Sequence, residues 1–167
     1  MNGVIIYKSK YGSTRQYSEW LRDETGFDIY TVNDCPVDLS KYDTIVIGSY
    51  VRAGRLSLAG FIRNKWFVLK NKNVIIMLVN MTDDQKALQK IVPSSLSSDI
   101  VNNVKVFPVS GKYTVSSMSF LDRTIIKMAA SIEKREDIKK QLLTDRNLTN
   151  KENLNDLIKY IQLHVSR

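Results

Sequence analysis

The chain has 167 residues, 43% of them hydrophobic and 25% charged, a composition typical of one folded domain with a full core. Its longest apolar run, Val74–Val79, is far too short to span a bilayer, and its single cysteine excludes an intrachain disulfide. The formal net charge of +8 favours anionic partners, while the sequence has neither a Cys/His cluster for a metal nor a nucleic-acid-binding motif.

We expect one domain over residues 1–167. The N-terminus enters a strand pattern directly, without a signal peptide, which predicts a cytoplasmic protein. The basic excess lies after residue 50 and would attract phosphate, carboxylate-bearing substrates, acidic proteins or anionic lipid. A solvated basic surface without a dedicated partner is the alternative.

The first predicted elements are a strand, a short loop and a helix. The apolar run Val4–Tyr7 is followed by Ser9–Thr14, a loop rich in hydroxyl groups. Apolar residues then recur at helical spacing: Tyr17, Trp20 and Leu21. Ser13 and Gln16 match a capping box, which predicts a helix start near Ser13 or Thr14.

A loop that leads into a helix N-terminus can bind an anion, because the first N–H groups of the helix lack intrahelical partners. Ser9, Ser13 and Thr14 add hydroxyl donors, and Gly12 lets the backbone approach a ligand closely. An ordinary capped loop is the alternative. The G-x-G-x-x-G and Walker patterns are absent, and the first strand ends in Lys8 and Ser9 instead of the acids of a phospho-acceptor domain.

The middle of the chain alternates strands with helices. Phe27–Val32 predicts a short edge strand, and Thr44–Gly48 and Asn73–Asn80 predict buried strands. Between the last two, Ser49–Leu56 reads as a loop, and a helix face then follows in Leu58, Phe61, Ile62, Trp66 and Leu69. Thr82 and Gln85 match a second capping box, opening a helix that we expect Pro93 to end.

The last part of the chain begins with a short helix near Ile100 and the final strand, Val104–Val109, in which Pro108 indicates a sheet edge. The loop Ser110–Tyr113 follows. Ser117–Ile132 is predicted to be an unusually apolar helix, and the charged stretch Glu133–Asn150 to be partly helical. Thr149 and Glu152 match a third capping box, opening a closing helix with the apolar stripe Leu154, Leu157, Ile158, Ile161 and Val165.

Strands that alternate with helices predict an α/β fold with a parallel sheet covered on both faces. We expect a three-layer, flavodoxin-like sandwich with five parallel strands in the order 2-1-3-4-5. Its ligand crevice lies at the carboxyl ends of strands 1 and 3, where the strand order switches. Four loops should therefore gather at one rim: Ser9–Thr14, Ser49–Gly54, Asn80–Thr82 and Ser110–Tyr113.

The first loop also resembles the flavodoxin signature, which this chain matches at Ile5, Ile6, Tyr7, Ser9, Gly12 and Thr14, with Ser18 where the signature has alanine. The resemblance implies FMN, not FAD, as the cofactor. Its phosphate would be held by Ser9, Lys10, Tyr11, Gly12, Ser13 and Thr14. The rest of the cofactor would contact the other rim loops at Ser49, Tyr50, Val51, Arg52, Gly54, Asn80, Met81, Thr82, Ser110, Gly111, Lys112 and Tyr113. Either Tyr50 or Tyr113 is available to stack on the ring.

A narrower resemblance is carried by two segments. Gly48–Gly54 and Phe120–Met128, with Asp122, Arg123 and Lys127, are similar to segments of the menaquinone-dependent protoporphyrinogen dehydrogenases, a branch of the flavodoxin superfamily. The chain departs from that branch at Arg55-Leu56-Ser57, where the family has aromatic and histidine residues. The branch implies an FMN-dependent oxidoreductase with a quinone acceptor, and no catalytic side chain can be assigned.

In that interpretation, Arg52, Arg55 and Lys112 would attract the propionate carboxylates of a porphyrinogen. The alternative is a flavodoxin-type electron-transfer protein that serves a redox partner protein and has no small-molecule substrate of its own. A binding module that has lost flavin is a third class, and the intact phosphate loop argues against it.

The apolar helix Ser117–Ile132 has two interpretations. Met118, Leu121, Ile125, Met128, Ala129 and Ile132 form one predicted face, with Phe120 and Ile126 off that face. The additional apolar surface, beside Arg123 and Lys127, predicts a protein that lies against an anionic membrane surface without crossing it. Burial under residues 133–150, or at a homodimer contact, is the alternative.

Overall fold

The computed structural model describes residues 2–36, 38–82 and 85–164. The strands are β1 (Gly3–Tyr7), β2 (Asp28–Thr31), β3 (Thr44–Arg52), β4 (Arg55–Leu56), β5 (Asn73–Asn80), β6 (Val104–Ser110), β7 (Lys112–Tyr113) and β8 (Arg146–Asn147). The helices are α1 (Ser13–Thr25), α2 (Ala59–Leu69), α3 (Gln85–Ser95), α4 (Ser98–Asn102), α5 (Phe120–Ile132), α6 (Glu136–Leu142) and α7 (Asn155–His164). Two 3₁₀ turns, Val115–Ser117 and Lys151–Leu154, precede α5 and α7.

The main sheet has the order β2-β1-β3-β5-β6, and β4 pairs with β3 off this path. The pairs along the path are all parallel, whereas β4 runs antiparallel to β3. Since β4 is the return strand of a short hairpin, the parallel strands keep the predicted order 2-1-3-4-5. The prediction of a flavodoxin-like three-layer fold is confirmed.

Alternation along the central strands builds one hydrophobic core on each side of the sheet. On one side, α1 and α7 pack on Ile5, Val46 and Ile75. On the other side, α2, α3 and α4 pack on Ile6, Ile47 and Ile76. Because β5 lies between β3 and β6 and is covered on both faces, its uninterrupted apolar run is fully buried.

The ends of several elements differ from the predictions. The capping box at Ser13 does not form, because Gly12 is the N-cap of α1 and the Ser13 hydroxyl accepts the Lys112 N–H at 2.8 Å instead. Helix α3 continues through Pro93 to Ser95, because the Leu96 N–H bonds to the Val92 carbonyl at 3.0 Å and closes the last turn.

The two later capping boxes have different outcomes. The predicted box of Thr82 and Gln85 encloses residues 83–84, which lie outside the described residues. At the C-terminal end, Asn150 caps the turn that leads into α7, in place of Thr149. Its side-chain oxygen accepts the Glu152 N–H at 3.1 Å.

The predicted loop Ser49–Leu56 is a β-hairpin in the structure. Strand β3 continues to Arg52, and the chain reverses at Ala53 and Gly54, whose φ angles are 48° and 72°. Positive φ at both central residues is typical of the two-residue turn that matches the twist of paired strands. The hairpin therefore extends the carboxyl end of β3 beyond the sheet.

An excursion of the chain after β6 forms a separate structural feature. Strands β7 and β8 pair antiparallel, with Lys112 opposite Asn147 and Tyr113 opposite Arg146. We call this pair the neck, and the intervening residues 114–145, which include α5 and α6, the flap. The predicted loop Ser110–Tyr113 thus ends in a strand, and the charged stretch 133–150 contains α6 and β8.

Helix α5 is oriented differently from the prediction. Phe120 and Ile132 are each 81% exposed, and Leu121 and Met128 are also exposed, while Asp122 and Ala130 are the residues of α5 that are buried. The face predicted from periodicity is therefore not a buried one, since its members Leu121, Met128 and Ile132 are exposed and α5 covers the rim loops and not the sheet. No helix of the described chain is long and apolar enough to cross a membrane.

Candidate functional site

A cavity of about 290 Å³ opens at the carboxyl ends of the parallel strands, between the rim loops and the flap. The predicted site residues that line it are Lys10, Tyr11, Ser13, Thr14, Tyr50, Val51, Arg52, Asn80, Met81, Thr82, Gly111, Lys112 and Tyr113. Residues not predicted for the site also line it: Ala53, Val79, Ile91, Met118, Asp122, Ile125, Ile126 and Leu142. The structure therefore brings the four rim loops around one space and adds the flap as a further wall.

The loop Ser9–Thr14, which we call the anion loop, has free hydrogen-bonding capacity. Gly12 adopts φ 89°, a left-handed conformation that favours glycine, and no side chain caps the N-terminus of α1. The Ser9 hydroxyl is buried without a hydrogen-bond partner in the part of the chain that the structure describes. Buried hydroxyls are normally paired, so the unused bonding capacity of this one marks the anion loop as a candidate for an anionic ligand.

Lys112 adds a positive charge beside this loop. A β-carbon at Gly12 would lie 3.8 Å from Cε of Lys112, and the Lys112 N–H donates to the Ser13 hydroxyl at 2.8 Å. The neck strand β7 is thereby joined to the anion loop. Lys112, predicted for both cofactor and substrate binding, lies on the phosphate side of the cavity.

Close packing holds the start of α1 against the sheet. A β-carbon at Gly48 of β3 would lie 2.9 Å from Cβ of Tyr7, 3.1 Å from Cγ2 of Thr14 and 3.2 Å from Cε of Met77. A glycine at this position lets Thr14, which is 2% exposed, reach its place at the cavity. The anion loop is therefore positioned by the core and not by loop contacts alone.

Tyr50 and Tyr113 lie in different environments. Tyr50, on β3, is half-buried and lines the cavity. Tyr113 is 6% exposed, and its hydroxyl donates to the Gln141 and Leu142 carbonyls, both at 3.1 Å. Burial raises the pKa of Tyr113. Tyr113 is thus committed to holding α6 at the neck, and Tyr50 is the aromatic side chain better placed to face a planar ring.

Asp122 of α5 is the residue at which the cavity walls meet. Lys10 pairs with Oδ2 of this carboxylate, the Tyr11 hydroxyl donates to Oδ2 at 2.6 Å, and Nε of Arg52 donates to Oδ1 at 2.9 Å. Burial alone would raise the pKa of Asp122, but these hydrogen bonds outweigh it and hold the pKa at about 2. The hydrogen bond to Asp122 also raises the pKa of Lys10.

Several predicted site residues do not line the cavity. Ser49 is fully buried and accepts the Leu58 N–H at 3.2 Å, so it supports the hairpin from behind. Gly54 and Arg55 lie at the tip of the β3–β4 hairpin. Ser110, at the end of β6, does not line the cavity, and its backbone carbonyl accepts the Tyr17 hydroxyl at 2.6 Å. Ser9 and Gly12 shape the anion loop without lining the cavity.

Other chemistry is limited at this site. The only histidine of the sequence, His164, stacks on Tyr160 in α7, away from the cavity. Within the described ranges, no three His, Cys, Asp or Glu side chains form a group that could hold a metal ion. The site therefore offers cations, hydroxyls, backbone N–H groups and apolar surface, which is chemistry suited to binding a phosphorylated ring compound.

An anion loop at the switch point of a 2-1-3-4-5 parallel sheet defines a mononucleotide-binding protein of the doubly wound α/β class. The family model described as Flavodoxin domain matches residues 4–139, and the chain belongs to that family. FMN is the cofactor of the protein. The unpaired Ser9 hydroxyl and the uncapped start of α1 fit its phosphate.

Solved structures with the same fold have low sequence identity. A WrbA-like flavodoxin from Agrobacterium tumefaciens is 13% identical, over 98% of this chain and 98% of that chain, with a TM-score of 0.52. A mutant flavo di-iron protein from Thermotoga maritima is 8% identical, over 98% of this chain and 36% of that chain, with a TM-score of 0.50.

A third similar structure is a flavoprotein in complex with FMN from Lactobacillus acidophilus NCFM. It is 16% identical, over 65% of this chain and 91% of that chain, with a TM-score of 0.48. No curated protein matches the chain.

Asp122 lines the cavity but is not among the site residues predicted from the sequence. Its partners Arg52 and Lys10 are 70 and 112 positions away along the chain. Two signals were available: Asp122 belongs to a segment that carries the narrower family resemblance, and it is an acidic residue in the first turn of a helix, which a favourable helix-dipole interaction explains equally well.

Proposed function

We propose that the protein is an FMN-dependent oxidoreductase of the protoporphyrinogen-dehydrogenase type, with a quinone as electron acceptor. The observation that supports this is the apolar wall that the flap adds to the cofactor cavity, formed by Met118, Ile125 and Ile126. An electron carrier that only exchanges electrons with proteins needs no such wall. A large planar substrate with carboxylates would use both the apolar wall and the cations at its edge.

FMN, when bound, accepts two electrons from the substrate and passes them to an acceptor. In each round the porphyrinogen would lose two electrons and two protons, and the quinone would gain both and become a quinol. The chain's own part is to bind and orient. The anion loop holds the phosphate, Tyr50 faces the ring, and the flap excludes water from the apolar side.

Among the predicted substrate residues, Lys112 and Arg52 line the cavity and Arg55 does not. Arg52 is paired with Asp122, so Lys112 is the cation better placed to attract a substrate carboxylate. Arg55 is exposed on the same hairpin and retains only long-range attraction. The main contact for a substrate carboxylate is therefore Lys112 of the neck, and not Arg52 or Arg55 of the hairpin.

The test is porphyrinogen oxidation by the FMN-saturated protein with a quinone acceptor. Lys112→Gln should raise KM for the porphyrinogen about tenfold, as expected for one lost charge-assisted contact. Arg55→Gln, which removes a charge outside the cavity, is the matched control and should change KM less than twofold. Full flavin loading without turnover, whichever quinone is supplied, would reject the enzyme and favour the alternative of a flavodoxin-type electron carrier.

We also propose that the exposed face of α5 lies against an anionic membrane surface, where a lipid-soluble quinone resides. Phe120, Leu121, Met128 and Ile132 are exposed on this helix, and Lys127 is exposed beside them. Flotation with vesicles that contain anionic lipid should carry the wild-type protein. Phe120→Glu should abolish flotation, whereas Phe67→Glu, at an equally exposed phenylalanine of α2, should not.

Flotation that is equal for the two variants, or absent for the wild type, would reject the membrane surface. Concentration-dependent association of the wild type, lost in Phe120→Glu, would then assign the same face to a homodimer.

A further inference from the structure

The flap is joined to the body of the protein at two separate places. The neck closes one end through the pairing of β7 with β8 and the hydroxyl of Tyr113. The other attachment is the first turn of α5, where Asp122 receives Lys10, Tyr11 and Arg52. Both attachments contribute residues to the lining of the cavity, Tyr113 from the neck and Asp122 from α5.

The second attachment joins α5 to two different loops that line the cavity. Lys10 and Tyr11 belong to the anion loop, and Arg52 belongs to the β3–β4 hairpin. The carboxylate accepts from both, and the next turn of the same helix places Ile125 and Ile126 against the cavity. While the Asp122 bonds are made, α5 closes over the space in which the cofactor binds.

Polar bonds fasten the first turn of α5, and Met118 directly before it is the buried apolar residue at this end of the flap. Of the residues of α5, Asp122 and Ala130 are buried, whereas the large apolar residues Phe120, Leu121, Met128 and Ile132 are exposed. Neither hydrophobic core of the described chain includes a flap residue. The Asp122 side chain is 11% exposed, while those of Lys10 and Arg52 are 29% and 43% exposed.

We propose that Asp122 is a latch residue, which holds α5 closed through Lys10, Tyr11 and Arg52 and thereby sets the rate at which flavin enters and leaves the site. Flavin exchange requires these bonds to break and the flap to swing on its neck. Asp122 acts through the position of the flap and does not itself contact the flavin phosphate. The latch rests only on FMN as the cofactor and is independent of the porphyrinogen and the quinone.

The first test is the rate of flavin release from the full-length protein, measured as the recovery of flavin fluorescence after dilution. Asp122→Asn keeps the shape of the side chain and removes its charge, and we expect release about tenfold faster, equivalent to about 1.4 kcal/mol. Asp137→Asn is the matched control, since Asp137 is an exposed acid of α6 in the same flap. It should leave the rate unchanged.

Riboflavin distinguishes a latch from a direct effect on the phosphate. A latch encloses either flavin, so Asp122→Asn should accelerate release of riboflavin and FMN by the same factor. Acceleration for FMN alone would overturn the latch and assign Asp122 to control of the phosphate-binding Lys10. Unchanged release of both flavins would overturn it as well.

A double-mutant cycle measures the coupling between Asp122 and Arg52 in the rate of riboflavin release. General destabilisation of the fold would not produce such coupling. Arg52→Gln should accelerate riboflavin release in the wild-type background and have a much smaller effect in Asp122→Asn, because the two residues share one bond. Additive effects would overturn the latch. Should Asp122→Asn fail to fold, wild-type riboflavin release at low and high salt replaces it, since salt screens these partly exposed pairs. Release that does not accelerate at high salt would reject the proposal.

Discussion

The unpaired hydroxyl of Ser9 gives a prediction with opposite signs for stability and for cofactor binding. The hydroxyl is buried and has no hydrogen-bond partner among the described residues. An unsatisfied buried polar group costs about 1–3 kcal/mol. Ser9→Ala removes that cost along with the hydroxyl. The flavin-free variant should therefore be more stable than the wild type by on the order of 1 kcal/mol.

The same substitution should weaken FMN binding. If the hydroxyl donates to the phosphate, its loss removes a hydrogen bond to a charged group, worth about 1.5–3 kcal/mol. The Kd for FMN should rise about 10- to 100-fold. Riboflavin affinity should be unchanged, because riboflavin has no phosphate. The Ser9 hydroxyl is unfavourable for folding when it has no acceptor and favourable for binding when the FMN phosphate accepts its hydrogen bond. Ser9→Ala should therefore raise the stability of the flavin-free protein and lower its affinity for FMN.

Urea unfolding of the flavin-free protein and fluorescence-quenching titration with FMN measure the two quantities. Ser13→Ala is the matched control, since its hydroxyl already accepts the Lys112 N–H at 2.8 Å. That variant should lose about 1 kcal/mol of stability where Ser9→Ala gains it. A destabilised Ser9→Ala protein, or one with unchanged FMN affinity, would refute the reasoning.

Three further predictions follow from the same contacts. Thr14→Val should weaken FMN binding about 10- to 100-fold in a quenching titration; equal affinity would remove Thr14 from the site. Gly48→Ala should cost about 1–3 kcal/mol in urea unfolding, since its β-carbon would lie 2.9 Å from Cβ of Tyr7; wild-type stability would contradict the close packing. For Asp122, the folded-state pKa of about 2 is below the ordinary 3.8, so its charge stabilises the fold above about pH 4. The stability difference from Asp122→Asn, on the order of 1–2 kcal/mol after allowance for solvent screening, should shrink as pH falls below about 4 and be lost only below about pH 2, and a constant difference would disprove the linkage.

The sheet was predictable because its signals are strong and local. The apolar run of β5 and the alternation of strands with helices determine which segments pair in parallel and which are covered. The hairpin was missed because its turn places Ala53 at φ 48°, a conformation that the residue type does not favour. Its neighbour Gly54 was the only sequence signal, and it was interpreted as part of a flavin-binding loop.

Two of the three predicted capping boxes, those of Ser13 and Thr149, did not form because other hydrogen-bond partners replaced them. Ser13 bonds to the backbone of Lys112, which is 99 positions away, so its hydroxyl is not used in its own helix. The side-chain amide oxygen of Asn150 accepts the Glu152 N–H, so Asn150 is the cap in place of Thr149. Local sequence gives the position of a helix start more reliably than it gives the atom that caps it.

The orientation of α5 was not predictable from its periodicity. The periodicity defines one apolar face, but Leu121, Met128 and Ile132 of that face are exposed in the structure. The inner face is set by Asp122, whose partners come from the anion loop and the hairpin. A helix that covers loops and not a sheet is positioned by its polar contacts, which have no signature in the sequence.

The neck makes the flap a continuous insertion in the sequence, bounded by two paired strands. Tyr113 and Arg146 are paired across it, so the flap leaves and re-enters the fold at adjacent points. Both cores are built without residues 114–145. A short turn in place of that segment would preserve the sheet register, the anion loop and the closing helix. The sheet with its anion loop and the flap that covers the cavity are therefore encoded in separate stretches of the sequence.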